Sequence, residues 1–395
     1  MSRDTFSCAL PELGSDRPVT VRIRPQVINL LVGAEAPSYS FDLSGRLIGA
    51  FVAGRNYRRG FDNRVLEKWS GANAARQRRW LSAAEAQTFL TGLYDLAGRV
   101  AGQVGDLRLA VLRKWDWPAL QADAARFAQV YRPVSILPPD QYLALVLQAT
   151  EGCSYNRCAF CDFYRDRPFR VKSPDELRAH IEAVRAFFGP ALALRKSLFL
   201  ADANALVAPM PRIRGWLDVI EEARLLPAAG IYSFIDAFDV HRKTQADWAE
   251  LAGRGVRRVY IGLETGDDVL LRFLRKPGSA SDVVDAVTRL KAAGVAASAI
   301  VMTGIGGDRY AAGHVTGTVA ALNTLPLAAG DIVYFSPFVD HPGSEYGQLA
   351  REAGLRALTE VEVAAQEAAI RAGLRPYDPA HPPQCSRYDV REFIY

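Results

Sequence analysis

Residues 142–161 read YLALVLQATEGCSYNRCAFC. An apolar run of strand length leads into Glu151-Gly152, and then Cys153, Cys158 and Cys161 follow within nine residues. Strand, glycine, ligand-rich loop is the order expected where a parallel sheet presents its carboxyl ends, the place where such sheets bind ligands. Gly152 supplies a backbone angle that lets the chain curl around a ligand.

Outward from this stretch the rhythm repeats. Short apolar runs recur at SLFLAD (197–202), IYSFIDAF (231–238), RVYIGLE (258–264), AASAIVMTG (296–304) and DIVYFSPF (331–338). Amphipathic stretches at 174–188, 212–226, 244–254, 281–293 and 313–325 predict helices between them. Strand alternating with helix implies parallel strands joined by crossovers. The fold class is therefore α/β, with six units forming a partial (β/α)6 TIM-type barrel or an open sheet.

Before it, VTVRIRPQVINLLVG (19–33) and YSFDLSGRLIGAFVAGRNYRRGF (39–61) alternate like strands, with Ser44-Gly45 as a hairpin turn. LSAAEAQTFLTGLYDLAGRV (81–100) has helical spacing, with Ser82 as N-cap. These predict a small α+β domain over residues 1–135. The Pro-rich RPVSILPPD (132–140) marks a boundary, residues 140–340 form the core, and 341–395 form an extension that begins helical and ends irregular.

The 49% hydrophobic and 23% charged fractions are those of a globular protein, and the net charge of +5 suits anionic small molecules without demanding nucleic acid. No apolar run reaches membrane-spanning length, and the first residues lack the basic start and apolar core of a secretory signal. A reducing, cytoplasmic setting is expected. Five cysteines, three of them clustered, point to a metal or redox site rather than a disulfide framework.

Three soft thiolates favour zinc, copper(I) or an iron–sulfur cluster. Closed structural zinc needs a fourth ligand, and His180, His241, His314, His341 and His381 show no paired spacing; His180 reads as a surface residue of the next helix. Cys-x4-Cys-x2-Cys also opens the plant-type ferredoxin set, but the next cysteine is the distant Cys385. A [4Fe–4S] cluster with one iron lacking a protein thiolate is the remaining reading.

On these residues the chain resembles the radical S-adenosylmethionine (SAM) superfamily. The usual spacing there is Cys-x3-Cys-x2-Cys; EGCSYNRCAFCDFYRDRPFR (151–170) is similar to a variant subgroup with one more residue in the first gap. The resemblance implies a [4Fe–4S] cluster on Cys153, Cys158 and Cys161, and SAM as second cofactor. It implies reductive cleavage of SAM to a 5′-deoxyadenosyl radical acting on an unidentified substrate. It places Phe160 near the adenine, Asp202 and Asn204 near the SAM amino group, and Glu264 of GLETG (262–266) on the ribose or amino group. Gly304 and Gly306 of MTGIGGD (302–308) lie beside the adenine, as does SPF (336–338). Ser233 and Asp236 alternate on the third strand, so at most one of the two faces inward. An ion pair of Glu264 with Arg257 or Arg258 is the structural alternative. The implied partner is a low-potential electron donor such as flavodoxin or ferredoxin.

The hydrogen donor and the substrate are not named by any motif. Cys385, Tyr388 and Tyr395 are candidates for a redox-active side chain. Cobalamin's Asp-x-His-x-x-Gly is not met at Asp239-Val240-His241, where Thr244 takes the glycine place. Residues 46–80 hold nine basic and two acidic residues interleaved with Tyr57, Phe61, Trp69 and Trp80. That segment suits nucleic acid, an anionic substrate, or a solvated face packed through its aromatics. The alternative to an enzyme is a zinc- or cluster-stabilised nucleic-acid-binding protein.

Overall fold

Alternation of side chains decides the N-terminal half. In β2 (Val19–Ile23) and β3 (Val27–Val32), Val19, Val21, Ile28, Leu30 and Val32 are buried and alternate with more exposed residues. With β1 (Thr5–Cys8), β4 (Ser38–Asp42), β5 (Leu47–Val52), β6 (Arg55–Arg59), β7 (Val65–Ser70) and β8 (Arg76–Trp80) they form an eight-stranded antiparallel meander in chain order. The computed structural model describes residues 4–10, 18–33, 37–71, 76–341 and 343–395. Residues 72–75 of the basic segment thus lie outside the described residues.

The expected hairpin at Ser44-Gly45 joins β4 to β5, with Gly45 at φ +83°. Helix α1 (Ala83–Val104) starts at Ser82 with a capping box to Glu85. Its apolar stripe, including Leu90, Tyr94 and Ala97, covers Val21, Leu30 and Phe41 of the sheet. Helix α2 (Trp117–Val130) supplies Asp123.

Asp123 is fully buried and takes two hydrogen bonds of 2.8 Å from Arg46, while the Arg59 guanidinium stands 3.7 Å away. Burial alone raises a carboxyl's pKa, but the Arg46 and Arg59 charges outweigh it and hold Asp123 below the ordinary value. Other cations of the basic segment are also paired: Arg55 and Arg79 with Glu67, Arg64 with Asp62, Lys68 and Arg78 with Glu392. The aromatic-packed, neutralised face is the reading of residues 46–80 that this geometry favours.

The second half is a parallel sheet in the order β9–β12–β13–β14–β15–β16–β17. Its strands are β9 (Leu145–Gln148), β12 (Leu198–Ala201), β13 (Ile231–Phe234), β14 (Val256–Glu264), β15 (Ala296–Thr303), β16 (Ile332–Pro337) and β17 (Gln384–Arg387). Both β9 and β12 are buried throughout, as strands covered on two faces must be. Helices α3 (Pro174–Phe188), α4 (Met210–Glu222), α5 (Gln245–Gly253), α6 (Asp268–Phe273), α7 (Ala280–Ala292) and α8 (Gly307–Thr324) make the crossovers. The tail adds α9 (Glu345–Glu352), α10 (Glu360–Gly373) and then β17, where an irregular end was expected. QCSR carries no strand alternation of its own; pairing with β16 makes it a strand. Helix α8 begins six residues before the expected 313, because Gly307 enters the first turn rather than the loop.

Asp140 ties the inner strands from below: it accepts from Tyr260 at 2.6 Å, Tyr334 at 2.7 Å and Arg258 at 2.8 Å. Cα packing divides the chain into two units, residues 1–134 with 182–196 and 392–395, and residues 135–181 with 197–391. Among the described residues no helix is long and apolar enough to cross a membrane.

Replacing Asp123 with alanine strands two buried guanidinium groups, which costs about 3–5 kcal/mol. Chemical unfolding at neutral pH should show that loss in Asp123→Ala. Because the folded carboxyl titrates below its unfolded value, its contribution is complete above about pH 4 and is lost as pH falls through the folded value. The gap between wild type and variant should therefore narrow only in acid.

Candidate cluster and cofactor site

The cysteine loop, residues 152–169, is closed at its base by a two-residue ladder. Strands β10 (Thr150–Glu151) and β11 (Arg170–Val171) pair antiparallel, and Arg170 meets Glu151 at 2.8 Å. Gly152 adopts φ +76°, and a Cβ there would stand 3.0 Å from the Pro168 carbonyl oxygen. Its N–H donates to Asp202 Oδ2 at 2.9 Å. Asn156, in the lengthened first gap, takes φ +51°, a left-handed angle that asparagine tolerates. Its side chain donates to the Tyr164 carbonyl at 2.8 Å. Arg165 donates to the carbonyls of Cys158 at 2.9 Å and Cys161 at 3.2 Å.

Cys153, Cys158 and Cys161 all line one open cavity of about 1130 Å³, solvent-open space included. Burial pushes the Cys158 and Cys161 thiols up to about 12 and raises Cys153 as well. Bare, these thiols keep their protons; a bound cation is what turns such groups into thiolates. Among the described residues no three His, Cys, Asp or Glu side chains converge on a single-ion position. Three thiols on one cavity wall are a donor set that a polynuclear iron–sulfur cluster uses.

Opposite them in sequence, Glu264 ends β14 at φ +59°, where the pairing with β15 slips a residue. Its carboxylate folds back over Gly262, where any Cβ would collide with it. Lys276 donates to Glu264 at 3.1 Å and lies 3.7 Å from Asp236. Burial works against the charge on Lys276, yet Glu264 and Asp236 hold its pKa above the ordinary lysine value. Burial raises Glu264, with Lys276 opposing. All three charged groups line the same cavity as the cysteines. The partner of Glu264 is thus Lys276, not Arg257 or Arg258; Lys276 lies in a turn whose sequence, RKPG, carries no ligand signal.

The remaining expected contacts divide. Phe160 lines the cavity, as do Met302 and Ser336-Pro337-Phe338. Asp236 lines it too, whereas the Ser233 hydroxyl donates to the Leu200 carbonyl at 2.8 Å on the neighbouring strand. Asp202 does not line it: its oxygens accept from Gln148 at 2.9 Å, Gly152 and Arg167 at 3.4 Å. Asn204 is buried, donating to Ser154 at 2.9 Å and Asp239 at 2.7 Å. These two support the loop from behind. Gly304 and Gly306 also face away. Gly304 N–H donates to Gln366 at 2.7 Å and a Cβ would meet Val363; a Cβ at Gly306 would meet Leu270 at 2.7 Å. Their freedom serves helix packing rather than a flat ligand.

His180 is not on the surface; it is buried and its Nε2 accepts from the Gln148 N–H at 3.2 Å. Its place on the apolar face of α3, beside Leu177 and Ile181, accounts for this. Tyr388, which no spacing singled out above its neighbours, lines the cavity from the tail.

The Radical SAM superfamily pattern matches residues 147–312. No curated protein matches the chain. Among solved structures it is similar to methylornithine synthase (PylB), at 15% identity over 75% of this chain and 71% of that one, with a TM-score of 0.40. It is similar to coproporphyrinogen III oxidase (HemN) from Escherichia coli, a radical SAM enzyme, at 12% identity, 58% and 52% coverage, and a TM-score of 0.41. It is also similar to the cobalamin-dependent S-adenosylmethionine radical enzyme OxsB, at 15% identity, 58% and 30% coverage, and a TM-score of 0.38. The chain spans about a third of OxsB and about half of HemN.

Lys276→Met removes the only lysine among the described lining residues and leaves two carboxylates facing each other. It should cost about 3 kcal/mol of unfolding free energy. Adding Glu264→Gln should return at least half of that loss, a coupling that a double-mutant cycle reads directly.

Proposed function

From a chain that belongs to the Radical SAM superfamily through residues 147–312, we propose an enzyme that cleaves SAM reductively at a [4Fe–4S] cluster held by Cys153, Cys158 and Cys161. The observation that carries the reading is the convergence of those three thiols with Glu264, Lys276 and Asp236 on one cavity. Three cysteines for four irons leave one iron to the amino and carboxylate groups of SAM. Bound together, cluster and SAM supply one chemistry: breakage of a carbon–sulfur bond to methionine and a 5′-deoxyadenosyl radical, which takes hydrogen from a substrate.

The chain's own residues bind, orient and exclude water. Glu264 meets the ribose or amino group, its carboxylate held in place by Lys276 and by the absence of a side chain at 262. Phe160 packs near the adenine, with Met302 and Phe338 in the same apolar cluster. Asp202 and Asn204 act one layer back, fixing Gly152 and Ser154 on either side of Cys153. Held on strand ends, these groups stay close to their partners during reaction, and apolar lining keeps water from a reactive intermediate.

The reaction requires one electron from a low-potential donor such as flavodoxin or ferredoxin, and the free cysteines fit a reducing cytoplasm. The substrate is the open part of the reading. A nucleic-acid role for the basic segment has less support, since most of its cations already have carboxylate partners.

Anaerobic reconstitution tests this. Wild-type protein should bind about four irons per chain and release 5′-deoxyadenosine from SAM with a reductant. Cys158→Ala should lose the cluster absorbance and at least a hundredfold of that release. About one zinc per chain with no SAM turnover would reverse the reading.

A further inference from the structure

The cavity has two kinds of wall. Cysteines, Glu264, Lys276 and Asp236 make one, and β16 with the tail makes the other. The tail contributes Tyr388 and Val390, facing Ile136 and Val339 among apolar neighbours. Tyr388 is 1% exposed, and its hydroxyl has no hydrogen-bond partner among the described residues. A buried phenol without a partner is costly, so such a group in a ligand cavity marks where a ligand atom belongs.

Its position is built, not incidental. The Tyr388 N–H donates to the Phe335 carbonyl at 2.8 Å, extending the β16–β17 ladder by one step. That step sets Tyr388 beside Ser336, 4% exposed and on the same wall. The ring packs against Tyr334 at 5.4 Å, and Tyr334 is itself fixed by Asp140. The ring is therefore rigid, and the hydroxyl is its one unused valence.

Charge narrows what the wall accepts. Lys276 is the only lysine among the described lining residues, no arginine joins it, and Glu264 and Asp236 already share it. Beside the shared Lys276 only His341 among the described lining residues could meet an anion, so a neutral group suits the tail side of this cavity better.

We propose that the tail side of the cavity, Tyr388 with Val390, is the substrate wall, where Tyr388 donates a hydrogen bond to an acceptor such as a carbonyl oxygen on a neutral, largely apolar substrate. The proposal takes the SAM-site reading as its premise, but its test does not depend on SAM turnover. Cluster-reconstituted, full-length protein is titrated with acetophenone and with ethylbenzene, matched in shape, and binding is read by saturation-transfer NMR.

Wild type should bind the ketone about fivefold tighter, equivalent to about 1 kcal/mol, one neutral hydrogen bond. Tyr388→Phe should bring the two probes within twofold while leaving ethylbenzene unchanged. Incorporating 3-fluorotyrosine at 388 keeps the hydroxyl and the shape; its fluorine resonance should move with the ketone and not with the hydrocarbon. Equal binding of the probes to wild type, a ketone preference that survives Tyr388→Phe, or no binding of either probe would overturn the proposal. Release of 5′-deoxyadenosine from SAM is measured on the same sample. Its absence alongside the ketone preference counts against the SAM reading and leaves the wall standing.

Discussion

The hydrogen bond from the Gly152 N–H to Asp202 is the constraint on which the site rests. It joins the end of the second barrel strand to the first residue of the cysteine loop. The loop cannot shift without breaking it, because Asp202 is also held by Gln148 and Arg167. Asn204, two residues on, reaches Ser154 on the far side of Cys153. Adjacent strand ends thus clamp the loop at two points, and the β10–β11 ladder closes its base. A loop fixed this way presents three thiols from a rigid frame, where a free loop would lose cluster geometry to conformational entropy.

Desolvation organises the rest. The cavity buries three thiols, two carboxylates and a lysine. Burial disfavours the thiolates, and a bound cation is the kind of group that would charge them. Lys276 prevents the two carboxylates from repelling one another, and it does so without facing outward. Charge is concentrated beside β13 and β14, and the wall of β16 and the tail is left apolar with hydroxyls. This division is what the proposed separation of a charged cofactor from a neutral substrate rests on.

Much of this was legible in the amino-acid order. Parallel strands buried on both faces read as short apolar runs, and all six were placed to within a few residues. Helix α3 matched its expected span, since apolar spacing, Ser173 and Glu176 define it. The packing role of Gly304 and Gly306, which admit Val363 and Leu270, shows only in tertiary contact. The bracing role of Asp202 was hidden for a related reason. Asp202 sits at a ligand-binding strand end, but a neighbouring backbone N–H reaches it first. Lys276 carried no local signal, and Tyr388 was legible only as one of three tail candidates with Cys385 and Tyr395, because each acts from an element distant in the chain. Strand β17 was hidden because its β structure comes from its neighbour rather than its own side chains.

The most direct measurement of the central claim is Mössbauer spectroscopy of the 57Fe-reconstituted protein with and without SAM. The account predicts a cluster whose irons are not equivalent: addition of SAM shifts one iron site and leaves the other three, those on Cys153, Cys158 and Cys161, where they were. Four irons that ignore SAM, or a protein that holds no iron while remaining folded, would contradict it.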